Sequence, residues 1–145
     1  MIYLDANNEL LNYIYQNAEM GESTIKQLIP MVNDQAFKNN LQSQLNEYKT
    51  IFDIADRKLK ELNRESKGIG TLTKVSTYIM ININTLVNKT PSHIAEMLIR
   101  GSTMGIIDIT KKIKDYQNQD KQILDIANRL LKFEERNVNE LKGFL

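Results

Sequence analysis

Cysteine is absent from this chain. Its absence excludes a disulfide framework, a thiolate metal site and a cysteine nucleophile, and it fits a reducing cytoplasm, the expected setting. Histidine occurs once, as His93, too few for the usual zinc ligand sets when cysteine is missing as well. Proline occurs twice and glycine six times, a scarcity that suits long helices with few turns. Neither sign of charge dominates. The formal net charge is +1, with Lys and Arg spread along the chain, so no basic block marks a nucleic-acid partner. Long apolar runs are missing too. The longest, "YIMININTLV", is broken by Asn82 and Asn84, whereas a bilayer span takes about 20 apolar residues. The chain opens Met1-Ile2-Tyr3-Leu4-Asp5 without a cationic stretch followed by an apolar one, so no signal peptide is expected. "GSTMG" (101–105) lacks the Walker pattern, and His93 with Ser92 or Ser102 lacks a nucleophile elbow. No catalytic residue, cofactor-binding residue or cofactor is expected.

What is present is helical periodicity. Leu11, Ile14, Ala18, Gly21, Ile25 and Leu28 alternate steps of three and four, the seam of helices packed nearly parallel. Pro30 and the Asn33-Asp34 pair interrupt it. Phe37, Leu41, Leu45, Tyr48, Phe52, Ala55, Leu59 and Leu62 continue the rhythm, and the short join predicts an antiparallel hairpin. "NRESKGIGT" (63–71) is a connection. Leu72, Val75, Ile79, Ile83 and Leu86 then trace a shorter stripe, expected to cap one end of a bundle or to form a dimer contact. Thr90 and Pro91 have the chemistry of an N-cap and a first helical residue. Ile94, Leu98, Gly101, Gly105, Ile109, Ile113 and Tyr116 follow, then a turn at "YQNQD", then Ile123, Ala127, Leu130, Glu134, Asn137 and Leu141. The spacing predicts helices over about 5–32, 35–64, 72–88, 91–116 and 120–144 of a single domain, with no strands. Two hairpins joined by a crossover that carries its own helix make an antiparallel four-helix bundle, an all-α fold. "AEMGESTIKQLI" (18–29) echoes "LIRGSTMGIIDI" (98–109), and "NEYKTIFDI" (46–54) echoes "FEERNVNEL" (133–141), as two related helix pairs would.

The closing segment "LKFEERNVNELKGFL" resembles the last helix of ferritin-like proteins, where Glu-x-x-His is followed by Leu four residues on. "LIRGSTMGIID" resembles the third helix of small uncharacterised ferritin-like domains, some from spore-forming bacteria, in which an acid follows the Gly. The resemblance covers most of the chain outside about 63–90. It implies a ferritin-like bundle, and for metal-bearing members it implies one Glu from each of two helices and Glu-x-x-His from each of the others. Carried over by position, that set falls on Glu22 (or Glu19), on Glu47 with Thr50 in the His place, on Ser102 where the acid belongs (Glu96 lies further up), and on Glu134 with Asn137 in the His place. Both imidazoles and one carboxylate are missing. Neutral imidazole is a strong ligand for first-row metals, so ferroxidase and peroxidase chemistry are not expected, and the remaining oxygens suit Mn, Mg or Ca better.

Two functional readings follow. The first is a non-catalytic structural or protein-interaction role, as a homodimer or with a protein partner, in the cytoplasm and by resemblance spore-associated. No metal is expected under it, and Glu134 and Asn137 hydrogen-bond across the bundle and set helix register, or Phe133 takes the core position instead of Glu134. The alternative is a metal-binding ferritin-like protein with a reduced carboxylate site of Glu22, Glu47 and Glu134, with Asn137 beside it. Five of the six tyrosines (Tyr13, Tyr15, Tyr48, Tyr78, Tyr116) are assigned to packing, and Gly101 with Gly105 to a groove where a neighbouring helix comes close.

Overall fold

The computed structural model describes residues 2–62, 74–116 and 120–145. The described residues form five α-helices in order: α1 (Ile2–Leu28), α2 (Gln35–Glu61), α3 (Lys74–Asn84), α4 (Pro91–Asp115) and α5 (Lys121–Leu141). Single 3-10 turns follow α1 at Ile29–Met31 and α5 at Lys142–Phe144. The described residues contain no strand, and none of their helices is long and apolar enough to cross a membrane.

Local chemistry sets the boundaries. Pro30 sits in the turn that ends α1, where its missing N–H and fixed φ favour a tight turn over continued helix. Asp34 caps α2 by accepting a 2.8 Å bond from the Phe37 N–H. Thr90 caps α4 through the His93 N–H at 3.3 Å, with Pro91 in the first turn. Asp120 caps α5 through the Gln122 and Ile123 N–H groups. Each cap satisfies donors that have no partner inside the helix. Observed and expected spans differ at the ends: α1 starts at Ile2 rather than near 5, and α3 stops at Asn84 rather than 88. The 63–71 connection, Leu72 and the middle of "YQNQD" (117–119) lie outside the described residues.

The helices α1 and α2 pack along each other as one hairpin, α4 and α5 as the other, and α5 also meets both α1 and α2. Leu11, Ile14, Leu28, Phe37, Ile51 and Leu130 are among the side chains sealed from solvent, each contributing on the order of 1.5–3 kcal/mol by burial. The α1 seam is buried throughout. On α2 the stripe is displaced: Ile51 is fully buried, while Phe52 is half-buried and its ring lies 4.5 Å from that of Tyr15. A row of residues seven apart, Phe37, Gln44, Ile51 and Lys58, is buried in full; seven residues are nearly two turns and return to one face. The crossover helix α3 packs chiefly on α4. Its contact falls at Gly101, in the middle of α4, so α3 lies along the side of that helix and not across an end.

Candidate functional site

The helix α5 carries a wide buried face that includes both Phe133 and Glu134, so the two do not exclude each other. Glu134 is 3 % exposed. The Tyr48 hydroxyl of α2 donates to its Oε1 at 2.9 Å, and the Ser102 side chain of α4 lies beside the carboxyl and favours its charged form. Tyr48 is set from two sides. Its ring meets Phe133 edge-on, with centroids 4.7 Å apart, and it lies so close to Gly21 of α1 that a Cβ there would come within 2.3 Å of Cε1. Glycine at 21 is what lets the phenol reach the centre.

Around the carboxyl is a small cavity of about 30 Å³. Its polar lining is Glu134, Tyr48, Ser102, Asn17, Thr24 and Gln44; Gly21, Gly101 and Gly105 form much of the rest, and Ile79 of α3 closes one side. Asn17 leans toward the Tyr13 hydroxyl at 3.5 Å, and Gln44 donates to Asn40 Oδ1 at 2.7 Å. Burial pushes the Glu134 carboxyl up to about 7, against the Ser102 and Tyr48 hydrogen bonds that hold it down. Burial also raises the Tyr48 phenol well above its usual range, and the Glu134 charge adds to the rise. Tyr13 on α1 rises from burial and from Asp108. The arrangement is a neutral-leaning carboxylic acid among hydroxyls and amides, able to donate and accept hydrogen bonds near neutrality.

The four candidate ligands are not brought together. Glu22 lies on the flank of α1, paired with Lys26 at 2.9 Å. Glu47 holds Arg129 of α5 through two bonds, of 2.8 and 3.0 Å. Asn137 is 1 % exposed and one turn from Glu134, but its Nδ2 has no hydrogen-bond partner; the amide works against the rise of the Tyr48 phenol without an aligned bond. Thr50 donates to the Asn46 carbonyl in its own helix, and Glu96 pairs with Arg100 at 3.4 Å. Among the described residues, no three His, Cys, Asp or Glu side chains converge to hold a metal. On α1 and α2 the inward positions fall on Gly21 and Tyr48, and Glu22 and Glu47, one residue or about 100° away around each helix, lie at the flanks, half-buried. The echo of Glu47 on Glu134 fails for the same reason.

Sequence reasoning passed over Tyr48, assigned to packing, and Ser102, treated only as a missing acid. It also passed over Asn17, Thr24 and Gln44. A usable signal existed: Leu10, Asn17 and Thr24 are spaced by seven beside the seam row Leu11, Ala18 and Ile25, and all six are buried. Gly105 differs from Gly101 as well. A Cβ at Gly101 would come within 2.7 Å of Ile79 Cδ1, whereas one at Gly105 would meet Asn17 Nδ2 at 3.6 Å and Glu134 Cδ at 4.0 Å. Only the first marks a tight helix approach; the second borders the cavity.

No family model matches the chain, and no curated protein or solved structure matches it either.

Proposed function

We propose that this chain is a ferritin-like bundle that works by association, as a homodimer, in the cytoplasm and without metal chemistry. One observation carries the reading. Of the three carboxylates that a reduced metal site would need, Glu22 and Glu47 are held by Lys26 and Arg129 at the helix flanks, and Glu134 alone faces the interior, already bonded to the Tyr48 hydroxyl. A buried polar group held across helices sets register and neighbour choice, a structural role.

Sedimentation velocity on chelator-free protein, with metal content measured on the same sample, tests the reading. A dimer with no stoichiometric Mn or Fe is expected. A monomer at every concentration overturns the homodimer, and a bound metal that Glu134→Ala removes overturns the non-metal role.

A further inference from the structure

The cavity beside Glu134 has one wall unlike the others. Four of its sides come from α1, α2, α4 and α5, whose buried faces run their length. The remaining side is Ile79, the buried member among the described side chains of α3. On the same helix Tyr78, Asn82 and Ile83 are half-buried and Met80 is exposed. Its contacts are chiefly with one neighbour, α4, and a segment held through one neighbour opens at lower free energy than a core packed on several sides.

Among the described side chains, the groups facing Glu134 offer it no cation. From α2 it has the Tyr48 hydroxyl, and from α4 the Ser102 hydroxyl. From α1 come Asn17, which lines the cavity, and Tyr13, on which the Glu134 charge also acts. Ile79 of α3 is apolar, and Asn137 lies one turn from Glu134 on α5. Asp108 of α4 acts on Tyr13 and adds negative charge. The nearby cations serve elsewhere: Lys112 sits over the Tyr13 ring at 5.0 Å, Arg136 over the Phe133 ring at 5.7 Å, and Arg129 is held by Glu47. An ionised carboxylate sealed in this way must find water. The pocket of about 30 Å³ admits roughly one or two molecules, and with Glu134 only 3 % exposed full hydration of the carboxylate requires a wall to move.

We infer that α3 is a proton-controlled lid, seated on Gly101 over the cavity while Glu134 keeps its proton and lifted when that carboxylate ionises. The direction follows from linkage. With the lid seated, the carboxyl holds its proton up to about 7; exposed, it releases it near 4.5. The seated state therefore binds more protons between those values and loses its advantage as pH rises through that window, with no further change above it.

Hydrogen exchange of the full chain, corrected for intrinsic rates, tests this. The opening constant of the α3 amides should rise tenfold or more from about pH 5 to pH 7 and then level off. The α2 core amides should stay at least about a hundredfold more protected at each pH. Glu134→Gln should flatten the α3 profile, and Gly101→Ala, which crowds Ile79, should loosen α3 even at pH 5. If Glu134→Gln does not fold, the carbon NMR titration of the Glu134 carboxyl in the unmodified chain decides alone: a midpoint near 7 supports the lid. A midpoint below about 5, α3 amides as protected as those of α2, or an unchanged slope in Glu134→Gln overturns it.

Discussion

The Tyr48 hydroxyl and Glu134 Oε1 meet at 2.9 Å across the core, joining α2 to α5, with both residues buried. The bond exists because Gly21 on α1 makes room for the phenol. Three helices thus share one polar contact, and its loss should be felt in stability before anything else. Tyr48→Phe removes the hydroxyl and leaves the buried carboxyl without that bond. Urea unfolding should show a loss of about 1–3 kcal/mol, and the Glu134 titration should move further upward, since a bond that favours the charged form is gone.

Global stability should depend on pH through the same carboxyl. Folded, Glu134 titrates near 7; its ordinary value is 4.5. The folded state therefore holds the extra proton between those values, and stability is highest below the window and falls as pH rises through it. The fall should amount to no more than about 3.5 kcal/mol. Urea titrations at intervals from pH 4.5 to 8 measure it, and Glu134→Gln should remove the dependence. Stability that climbs with pH across this window would contradict the assignment.

The three helical glycines near the site should respond to alanine with different signs. At Gly21 the added Cβ meets the rigid, buried Tyr48 ring at 2.3 Å, so Gly21→Ala should cost about 1–3 kcal/mol. At Gly101 it meets the flexible end of Ile79 at 2.7 Å, a smaller cost as alanine; Gly101→Leu, which no small shift accommodates, should lower the melting temperature. At Gly105 the contacts are ordinary, 3.6 and 4.0 Å, so Gly105→Ala should stabilise by up to about 1 kcal/mol through helix propensity. Thermal melts of the four variants establish the order.

The Arg129–Glu47 pair joins α5 to α2 with good geometry but is partly exposed, at 45 % for the Arg129 side chain. A double-mutant cycle with alanine at both positions should give a coupling below about 1 kcal/mol, reduced further by salt. A larger, salt-insensitive coupling would make this contact, and not the buried one, the principal link between the hairpins.

Asn137 tests whether every buried polar group here sets register. Its Nδ2 lacks a partner, a cost already present in the folded chain. Replacing it with leucine, of similar size, should therefore be neutral or stabilising in urea titrations; a loss above about 2 kcal/mol would show that the amide is bonded in solution.

The amino-acid order by itself determined the all-helical character, the sequence of helices and most of their apolar seams. These follow from 3.6-residue periodicity and from local caps such as Asp34, Thr90 and Asp120, whose bonds reach only two or three residues along the chain. It also placed Glu134 and Asn137 on a buried stripe. Only the tertiary structure decided which acids face inward. A rotation of one residue about a helix axis separates Glu47 from Tyr48 and Glu22 from Gly21, and periodicity read to within a residue does not resolve it. Packing does, because Tyr48 reaches the centre only where another helix offers Gly21, and that encounter is between residues far apart in the chain. The cavity, the elevated Glu134 carboxyl and the seat of α3 on Gly101 share this origin: each is set by groups from separate helices meeting in space.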